Sequence, residues 1–503
     1  MVKGVDPVEM RLEPYAQIKD ATVKASSQLD VYAITRLQDA TSLRINVVDG
    51  RLDSIQRGSI RGTGVQVFTK EGRSGFAAVD RIAGEEILGL VEQAARLAKD
   101  SPEEHIDTNT EVFNLPKTEG KRPANITYDP NTLDLDPLEQ ALIEINREAR
   151  ELGPGLSVMT GLYISYEEWR IFRSDGTDVH FAFPRCVIRN GISARSAGRA
   201  SSTMANISGV DPRELIKPES RELLRKRSKK AAEIALNLTK AEPVKAGNYK
   251  LVLDYVLAMI LAHEAFGHAA EVDRAETTIL ARNGRFRTGE MVASPLVSII
   301  DGPLPGDHGD QPFSANGVPR ETVTIVENGV LKDGLADVFS ARKAGVRNTG
   351  AARAETYAHL PVPRMSNIRL MVSNAVPIDR DFEDITPADL RPMLEKAGLL
   401  EKDEEILYLS GALGGQVNPA TGDFVFSCSG VYELKDEAIP RQATSFSGQI
   451  LSALRAISGG LGGVAVDATG TCGKRSQSVP CGGGSNLFIV LEKDKSITIG
   501  GGR

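Results

Sequence analysis

The chain has 503 residues, of which 41% are hydrophobic and 25% are charged, a composition typical of a globular protein with an ample core. Its 60 basic and 67 acidic residues give a net charge of −7, which argues against a nucleic-acid-binding protein, since such proteins normally carry a basic domain. The four scattered cysteines do not form a disulfide framework. This length predicts about three domains.

The N-terminal residues show no secretory signal, because charges at Glu9 and Arg11 precede any apolar run. The longest apolar stretch, residues 251–270, is interrupted by Asp254 and His263 and predicts no membrane-spanning helix. We therefore expect a cytoplasmic protein with no membrane partner.

The first predicted domain covers residues 1–105. Apolar and polar residues alternate between residues 30 and 80, with turn residues between the runs, which predicts an antiparallel meander. Residues 87–98 have the spacing of an amphipathic helix. Residues 100–125 are rich in Pro, Thr and charge, and this composition predicts a linker.

The second predicted domain covers residues 125–240. It begins with a helix around residues 138–149, continues as strands on both sides of a Ser174-Asp175-Gly176 turn, and closes with a helix over residues 223–238. The basic run at residues 225–230 is interpreted as the solvated face of that last helix, because alanines at 231, 232 and 235 supply its buried side.

The third predicted domain, residues 245–503, is rich in short strands and glycine. We expect a strand over residues 249–253, a helix with Asp254 as its N-cap, and a hairpin with an Asn328-Gly329 turn. Together these patterns predict an α+β, multi-domain fold with antiparallel and mixed sheets, packed helices and a strand-rich C-terminal domain.

The most informative motif is His263-Glu264-Ala265-Phe266-Gly267-His268, which lies in the apolar run. Two imidazoles and a carboxylate this close together indicate a metal site. The alternative, two unrelated core histidines, would leave Glu264 buried without a cation in the neighbouring sequence.

The spacing of the two histidines requires an irregular helix. Five residues rotate the second imidazole by about 140° from the first on a regular α-helix, too far for both to bind one ion. The site therefore needs either a single i→i+5 turn or a break at Gly267, since glycine tolerates unusual dihedrals.

A zinc site of this kind needs a third protein ligand and one position open for water. Sequence separation does not choose among the candidates, which are Glu271, Asp273, His308, His359, Cys428, Cys472 and Cys481. Thiolate chemistry favours Cys472, because the neighbouring glycine and Lys474 would help to expose and deprotonate it.

Four ordered segments resemble the successive motifs of the TldD/PmbA family of metallopeptidases, historically called modulators of DNA gyrase. They are residues 263–273 (HEAFGHAAEVD), 355–367 (ETYAHLPVPRMSN), 414–426 (GGQVNPATGDFVF) and 472–480 (CGKRSQSVP). The resemblance covers nearly the whole chain. PmbA-type members lack the HExxxH motif, so this chain is similar to the catalytic TldD branch.

The resemblance implies a zinc cofactor bound by His263, His268 and Cys472, with Glu264 as the general base for the attacking water. The chain departs from the family pattern at Ser476, where glycine is common, and at Cys481, where an aliphatic residue is usual. Cys481 or an acidic residue therefore stays open as an alternative third ligand.

Three residues of the second motif, Tyr357, His359 and Arg364, are candidate donors to the oxyanion or to the substrate. Equally, the prolines around them could simply brace a loop beside the site.

The resemblance also implies a substrate and a partner. The expected substrate is an unfolded or extended peptide, and the strand-rich C-terminal domain suits its addition to a sheet edge through main-chain hydrogen bonds. The expected assembly is a homodimer, or a heterodimer with a PmbA-type subunit. Two alternatives remain open, a catalytically silent peptide-binding subunit and a metal hydrolase of a non-peptide amide.

Overall fold

The computed structural model describes residues 9–84, 86–101, 109–196, 198–442 and 444–500. Within these ranges the protein is built on two large β-sheets with helices packed against them, so the predicted α+β class is confirmed. No helix in these ranges has the length and apolar character needed to span a bilayer. The helices are α1 (Ile18–Leu29), α2 (Ile87–Lys99), α3 (Asp136–Arg150), α4 (Pro212–Leu215), α5 (Pro218–Leu238), α6 (Tyr255–Ile260), α7 (His268–Ala270), α8 (Ala341–Ala344), α9 (Pro387–Lys396) and α10 (Ile450–Arg455).

Seven strands of the described residues form the first sheet, in the order β3-β2-β1-β5-β6-β4 with β7 paired to β6. Its long hairpins confirm the predicted meander and the strands around the 174–176 turn. Because β1 pairs with β5, one sheet joins the first two predicted domains, and their separation stays a prediction. The strands are β1 (Tyr32–Val48), β2 (Arg51–Phe68), β3 (Ser74–Val79), β4 (Glu119–Arg122), β5 (Leu156–Arg173), β6 (Asp178–Ser196) and β7 (Arg199–Gly209).

The linker predicted over residues 100–125 is wrong for the part that the structure describes, while residues 102–108 lie outside it. A 3₁₀ turn spans Thr110–Asn114 and buries Val112, and β4 then pairs in parallel with β6. The sequence is polar here because β4 is a four-residue strand at the margin of the sheet, where a long apolar run is not required.

Helices α3 and α5 cover one face of the first sheet, and α5 begins at Pro218, five residues before the predicted start. The interpretation of its basic run as a solvated face is wrong for two residues. Arg227 pairs with Glu383 at 2.8 Å, and the Lys230 ammonium lies 4.2 Å from the ring centroid of Phe382. These cations face the C-terminal part of the chain and connect it to α5.

Twelve strands of the described residues form the second sheet, in the order β13-β12-β11-β16-β22-β8-β17-β18-β20-β23, with β19 on β18 and β21 on β22. The predicted Asn-Gly hairpin is confirmed as β12–β13. The strands are β8 (Lys250–Asp254), β11 (Val297–Gly302), β12 (Val323–Glu327), β13 (Val330–Leu331), β16 (Asn367–Val372), β17 (Ile406–Asn418), β18 (Asp423–Leu434), β19 (Ala438–Arg441), β20 (Ser445–Gln449), β21 (Ile457–Lys474), β22 (Gln477–Leu491) and β23 (Ile497–Ile499).

Two short ladders complete the described fold, β9 (Ala281–Arg282) with β10 (Arg285–Phe286), and β14 (Ala352–Arg353) with β15 (Val362–Pro363). The largest apolar cluster packs on the second sheet and contains Leu253, Phe266, Met365 and Cys472. The histidine motif and the Cys472 hairpin therefore meet inside a rigid core rather than on loops.

Candidate metal centre

The segment that carries both histidines is a helix widened by a π-helical turn. Asp254 ends β8 and caps α6 by accepting a hydrogen bond from the Leu257 N–H at 2.9 Å, as predicted. The π turn then spans Leu261–Gly267, and the His268 N–H donates to the His263 carbonyl, five residues back. The predicted i→i+5 turn is confirmed. It brings the two imidazole centroids to 5.2 Å, with perpendicular ring planes.

Gly267 serves packing rather than backbone freedom. Its φ of −57° and ψ of −48° are ordinary helical values, so the alternative break at this residue does not occur. A Cβ at Gly267 would lie 1.9 Å from the Met365 sulfur and 3.1 Å from the Ile368 Cδ1. Glycine therefore lets the motif pack directly against β16 and the residues before it.

Cys472 lies near the tip of the β21–β22 hairpin, opposite Val479. Arg475 and Ser476 form the turn, with φ of 49° and 59°, as the two central residues of a type I′ turn require. The serine that replaces the common glycine thus adopts the left-handed conformation. Arg364 donates to the Cys472 carbonyl and, at 3.4 Å, to the Gln477 carbonyl, so it holds the two strands near this turn.

The structure brings His263, His268 and Cys472 together, with one ligating atom of each within 4.8 Å of the others. The Cys472 sulfur lies 3.6 Å from His268 Nε2, and His263 and Cys472 are buried while the His268 side chain is 12% exposed. In the part of the chain that the structure describes, no other group of three or more His, Cys, Asp or Glu residues meets this condition.

The electrostatics of the trio favour a thiolate. Burial alone would raise the pKa of Cys472, but His263 and His268 lower it well below its ordinary value. Burial would likewise lower the pKa of His263, whereas the neighbouring thiols of Cys481 and Cys472 raise it well above its usual range. Thiolate is the form of cysteine that binds a metal.

The donor set fits a borderline-soft metal ion. Two imidazoles and one thiolate are typical zinc ligands and leave a fourth position open, as catalytic zinc sites do. His263 Nδ1 is buried and has no hydrogen-bond partner among the described residues. A buried polar atom of this kind is costly unless an ion or another group satisfies it.

Glu264 lies beside the trio but is not one of its three members. Its Oε2 is 3.8 Å from His268 Nε2, and its side chain is 29% exposed. The carboxylate therefore borders the cluster on a side that solvent reaches. This is where a proton acceptor for an attacking water would be needed.

Comparison with known proteins identifies the family. Profiles of the PmbA/TldA metallopeptidase domain 1, central domain and C-terminal domain match residues 34–98, 128–239 and 246–489. The chain belongs to the PmbA/TldD family of metallopeptidases. The resemblance found in the sequence is thus confirmed, and so is the expected enzyme class, a hydrolase of peptide bonds.

Three relatives show how far the similarity extends. A metalloprotease of Methanocaldococcus jannaschii is 28% identical, over 92% of this chain and 96% of its own. A metalloprotease TldD homologue of Buchnera aphidicola is also 28% identical, over 94% and 92%. The crystal structure of TldE from Thermococcus kodakarensis has the same fold, with a TM-score of 0.71 at 18% identity and coverage of 96% and 100%.

Of the other candidates for third ligand in this metallopeptidase, Cys481 is the one that offers a thiol beside His263. It stands two residues beyond Val479 on β22, on the face that Cys472 shares, and its thiol acts on the pKa of His263. It does not meet the distance condition that joins the trio. The same holds for the remaining candidates, Glu271, Asp273, His308, His359 and Cys428.

Glu271 has a different place, behind His268. Its buried Oε2 is 3.1 Å from His268 Nδ1 and 2.9 Å from the Lys474 ammonium. Lys474 also donates to Asp273 at 2.6 Å and to the Pro363 carbonyl at 2.9 Å. This lysine therefore neutralises carboxylates behind the site, rather than sitting beside the Cys472 thiol as the sequence suggested.

The contact with Glu271 orients the His268 ring and raises the pKa of His268. Burial would lower the pKa of His268, but Glu271 and Cys472 raise it to about 9. A carboxylate on Nδ1 leaves Nε2 facing the thiol, the arrangement of a carboxylate–histidine–metal relay. Sequence reasoning placed Glu271 only among possible ligands. This contact could have been predicted from the spacing of three residues between His268 and Glu271, which places two side chains side by side on a helix.

Glu271→Gln is expected to weaken zinc binding by about 10- to 100-fold, the usual effect of removing such a partner. The amide cannot hold His268 through a charge-assisted contact, and Lys474 loses one of its two carboxylates. Competition with a fluorescent chelator measures the affinity. The matched control is Asp273→Asn, which alters Lys474 without touching His268 and should bind zinc like wild type. An unchanged affinity in Glu271→Gln would contradict the relay.

The three candidate oxyanion residues form hydrogen bonds to three different parts of the structure. The Tyr357 hydroxyl donates to Asp80 of the N-terminal sheet at 2.5 Å, and burial, then Asp80, raises its pKa to about 12. His359 Nδ1 is 2.8 Å from the Thr356 hydroxyl, and Arg364 binds the main chain around Cys472. The hydrogen bonds of Tyr357 and Arg364 therefore hold neighbouring segments in position. Their role as oxyanion donors, and that of His359, stays a prediction.

A cleft of about 1120 Å³ lies between the first sheet and the C-terminal part of the metallopeptidase. Its floor is the face of β1, β5 and β6 that is turned away from α3 and α5. Its opposite wall includes residues 469–471 of β21 and 478–480 of β22, on either side of the hairpin tip that carries Cys472. The cleft therefore runs up to the strands of the metal centre.

Proposed function

We propose that this metallopeptidase uses zinc to hydrolyse peptide bonds in unfolded or extended peptides, with Glu264 as general base. The observation that carries the proposal is the trio of His263, His268 and Cys472 with the carboxylate of Glu264 beside it. Three ligands with one open position are typical of catalytic zinc sites, whereas structural sites are closed by a fourth residue.

Zinc, Glu264 and Glu271 have different roles in the proposed hydrolysis. When bound, zinc lowers the pKa of water and polarises the substrate carbonyl. Glu264 accepts a proton from the attacking water and returns it to the departing amine, because its carboxylate borders the cluster and is partly solvent-exposed. Glu271 keeps His268 oriented from behind.

The free edge of β21 supports the proposed substrate class. Between residues 464 and 474 this strand pairs with β22 on one side, and no strand among the described residues pairs with its other side. Residues 469–471 line the cleft, so an extended peptide can add there as a further strand. A folded protein cannot, because its main-chain groups are already paired.

The assembly that we propose is a dimer, with a second copy or with a PmbA-type subunit. An unpaired strand edge supports it. β3 pairs with β2 only from Thr63 to Phe68, and the other edge of residues 51–62 meets no strand within the described ranges. Leu52, Ile55 and Ile60 on this stretch are 40–42% exposed. A long exposed edge with apolar side chains is a surface on which another chain can pair.

The test is cleavage of an unstructured peptide library, read by mass spectrometry, with and without a co-expressed PmbA-type subunit. We expect internal cleavages that stop on chelation and return with added zinc, while folded proteins of the same composition stay intact. Cleavage that persists after complete metal removal would contradict the zinc mechanism. Inert peptides alongside hydrolysis of small non-peptide amides would contradict the substrate class.

A further inference from the structure

The floor of the cleft carries positive charge, although the chain as a whole has a net charge of −7. Four arginines line the cleft against two glutamates. Both glutamates are engaged, since Glu167 pairs with Arg185 at 2.8 Å and Glu355 accepts the Ser478 N–H at 2.8 Å. The acidic groups of the cleft therefore leave part of its arginine charge uncompensated.

The four arginines fall into two pairs. Arg185 and Arg353 are buried and bound, Arg185 also to the His308 carbonyl at 2.7 Å and Arg353 to the Pro480 carbonyl at 2.7 Å. Arg44 and Arg189 are exposed, and neither has an ion pair or a hydrogen bond to another described residue. The Arg44 guanidinium lies over the Tyr163 ring, 5.8 Å from its centroid, a contact that does not use its N–H donors. The second pair therefore has hydrogen-bond donors available to a ligand.

Arg44 and Arg189 lie on the two strands that flank β5, with side chains on the same face. Arg44 is opposite Tyr163 and Arg189 is opposite Gly161, so their Cα atoms are about 12 Å apart. Gly161 has no side chain, and the Asn46 side-chain oxygen lies over it, 3.3 Å from where a Cβ would be. Both arginines line the cleft together with Gly161 and Asn46, so they border a hollow in its floor.

His308 lines the same cleft and lies in the positive field of these arginines. Burial lowers the pKa of His308 to about 3, and the charges of Arg185, Arg353 and Arg189 add to the effect. The same charges favour an anion in the cleft.

The hollow is close to the strand of the metal centre. Arg189 is opposite Asn206 of β7, whose amide donates to the Thr469 hydroxyl at 3.1 Å. Thr469 lies three residues before Cys472 on the strand edge proposed for the peptide. A peptide on that edge would pass within a few residues of the hollow while its scissile bond lies at the metal.

We infer that Arg44 and Arg189 form a subsite for an aspartate or glutamate side chain of the peptide substrate, so that acidic residues among apolar ones are preferred. This inference rests on the proposed peptidase function. The apolar part of the preference follows from Met159, Met204 and Leu413, which line the same cleft and are 46–55% exposed. Guanidinium groups suit carboxylates because their planar donors match both oxygens.

The test measures binding to the zinc-loaded Glu264→Ala protein, so that peptides are not consumed. The probes are fluorescent, N-acetylated and C-terminally amidated apolar peptides in which one glutamate, or one glutamine, is moved along the sequence. At its best position the glutamate peptide should bind about tenfold more tightly than its glutamine partner. The difference in affinity between the glutamate and glutamine peptides should decrease as the salt concentration is raised.

The variants separate a binding role from a structural one. Arg44→Gln and Arg189→Gln should each reduce the glutamate advantage, and the double variant should abolish it while glutamine peptides bind as before. The control is Arg195→Gln, an exposed arginine on the same strand β6 outside the cleft, which should keep the full advantage.

Two failures are distinguishable. Equal binding of both peptide series, or an advantage that survives in the double variant, overturns the subsite and leaves the peptidase proposal intact. If neither series binds and wild type cleaves neither, with or without a PmbA-type subunit, the proposed function itself is wrong and the inference falls with it.

Discussion

Replacing Glu264 by glutamine is expected to lower the turnover of an unstructured peptide by about 100- to 10,000-fold, the usual contribution of a general acid–base group. The amide keeps the size of the carboxylate, but it cannot take a proton from water at neutral pH. Glu264 is not a member of the ligand trio, so the zinc content should stay at about one ion per chain, measured by atomic emission.

The interpretation of this variant depends on two readouts. Retained zinc with lost turnover assigns the proton transfer to Glu264, whereas loss of both would point to a ligand role. Glu327→Gln, on the exposed β12–β13 hairpin, is the matched control and should cleave like wild type. Turnover of Glu264→Gln within about threefold of wild type would exclude Glu264 as the base.

The irregular helix at the site could be predicted from the sequence because the constraint was local. A spacing of five residues between His263 and His268 cannot serve one ion on a regular α-helix, and a π turn is the smallest change that permits it. The Asp254 cap and the Asn328-Gly329 hairpin were predictable for the same reason. Each depends on fewer than about ten consecutive residues.

The arrangement of distant segments could not be read in this way. Pairing of β1 with β5 joins residues more than a hundred positions apart, and no periodicity records it. Lys474 looked like a partner for Cys472, two residues away on the same face of the strand, but Glu271, which no local pattern places there, binds its ammonium at 2.9 Å. Arg227 likewise appeared solvated until the C-terminal part of the chain supplied Glu383.

Cys472→Ala is expected to release the zinc and abolish cleavage, with an affinity loss greater than the roughly 100-fold upper limit for an outer partner such as Glu271. The structure places its sulfur within 4.8 Å of ligating atoms on both histidines, and these imidazoles lower the pKa of its thiol. Removing the thiolate leaves only the two imidazoles, which hold zinc poorly without a third ligand.

Cys481→Ala provides the comparison that identifies the third ligand. Both cysteines raise the pKa of His263. Both are also almost fully buried on the same hairpin, so replacing either by alanine leaves a cavity of similar size. We expect Cys481→Ala to keep its zinc and its turnover. Chelator-treated samples of both variants should melt at similar temperatures, whereas zinc should raise the Tm only of Cys481→Ala, because a ligand stabilises the state that binds it. The opposite pattern would assign the metal to Cys481, at the position where this chain departs from its family.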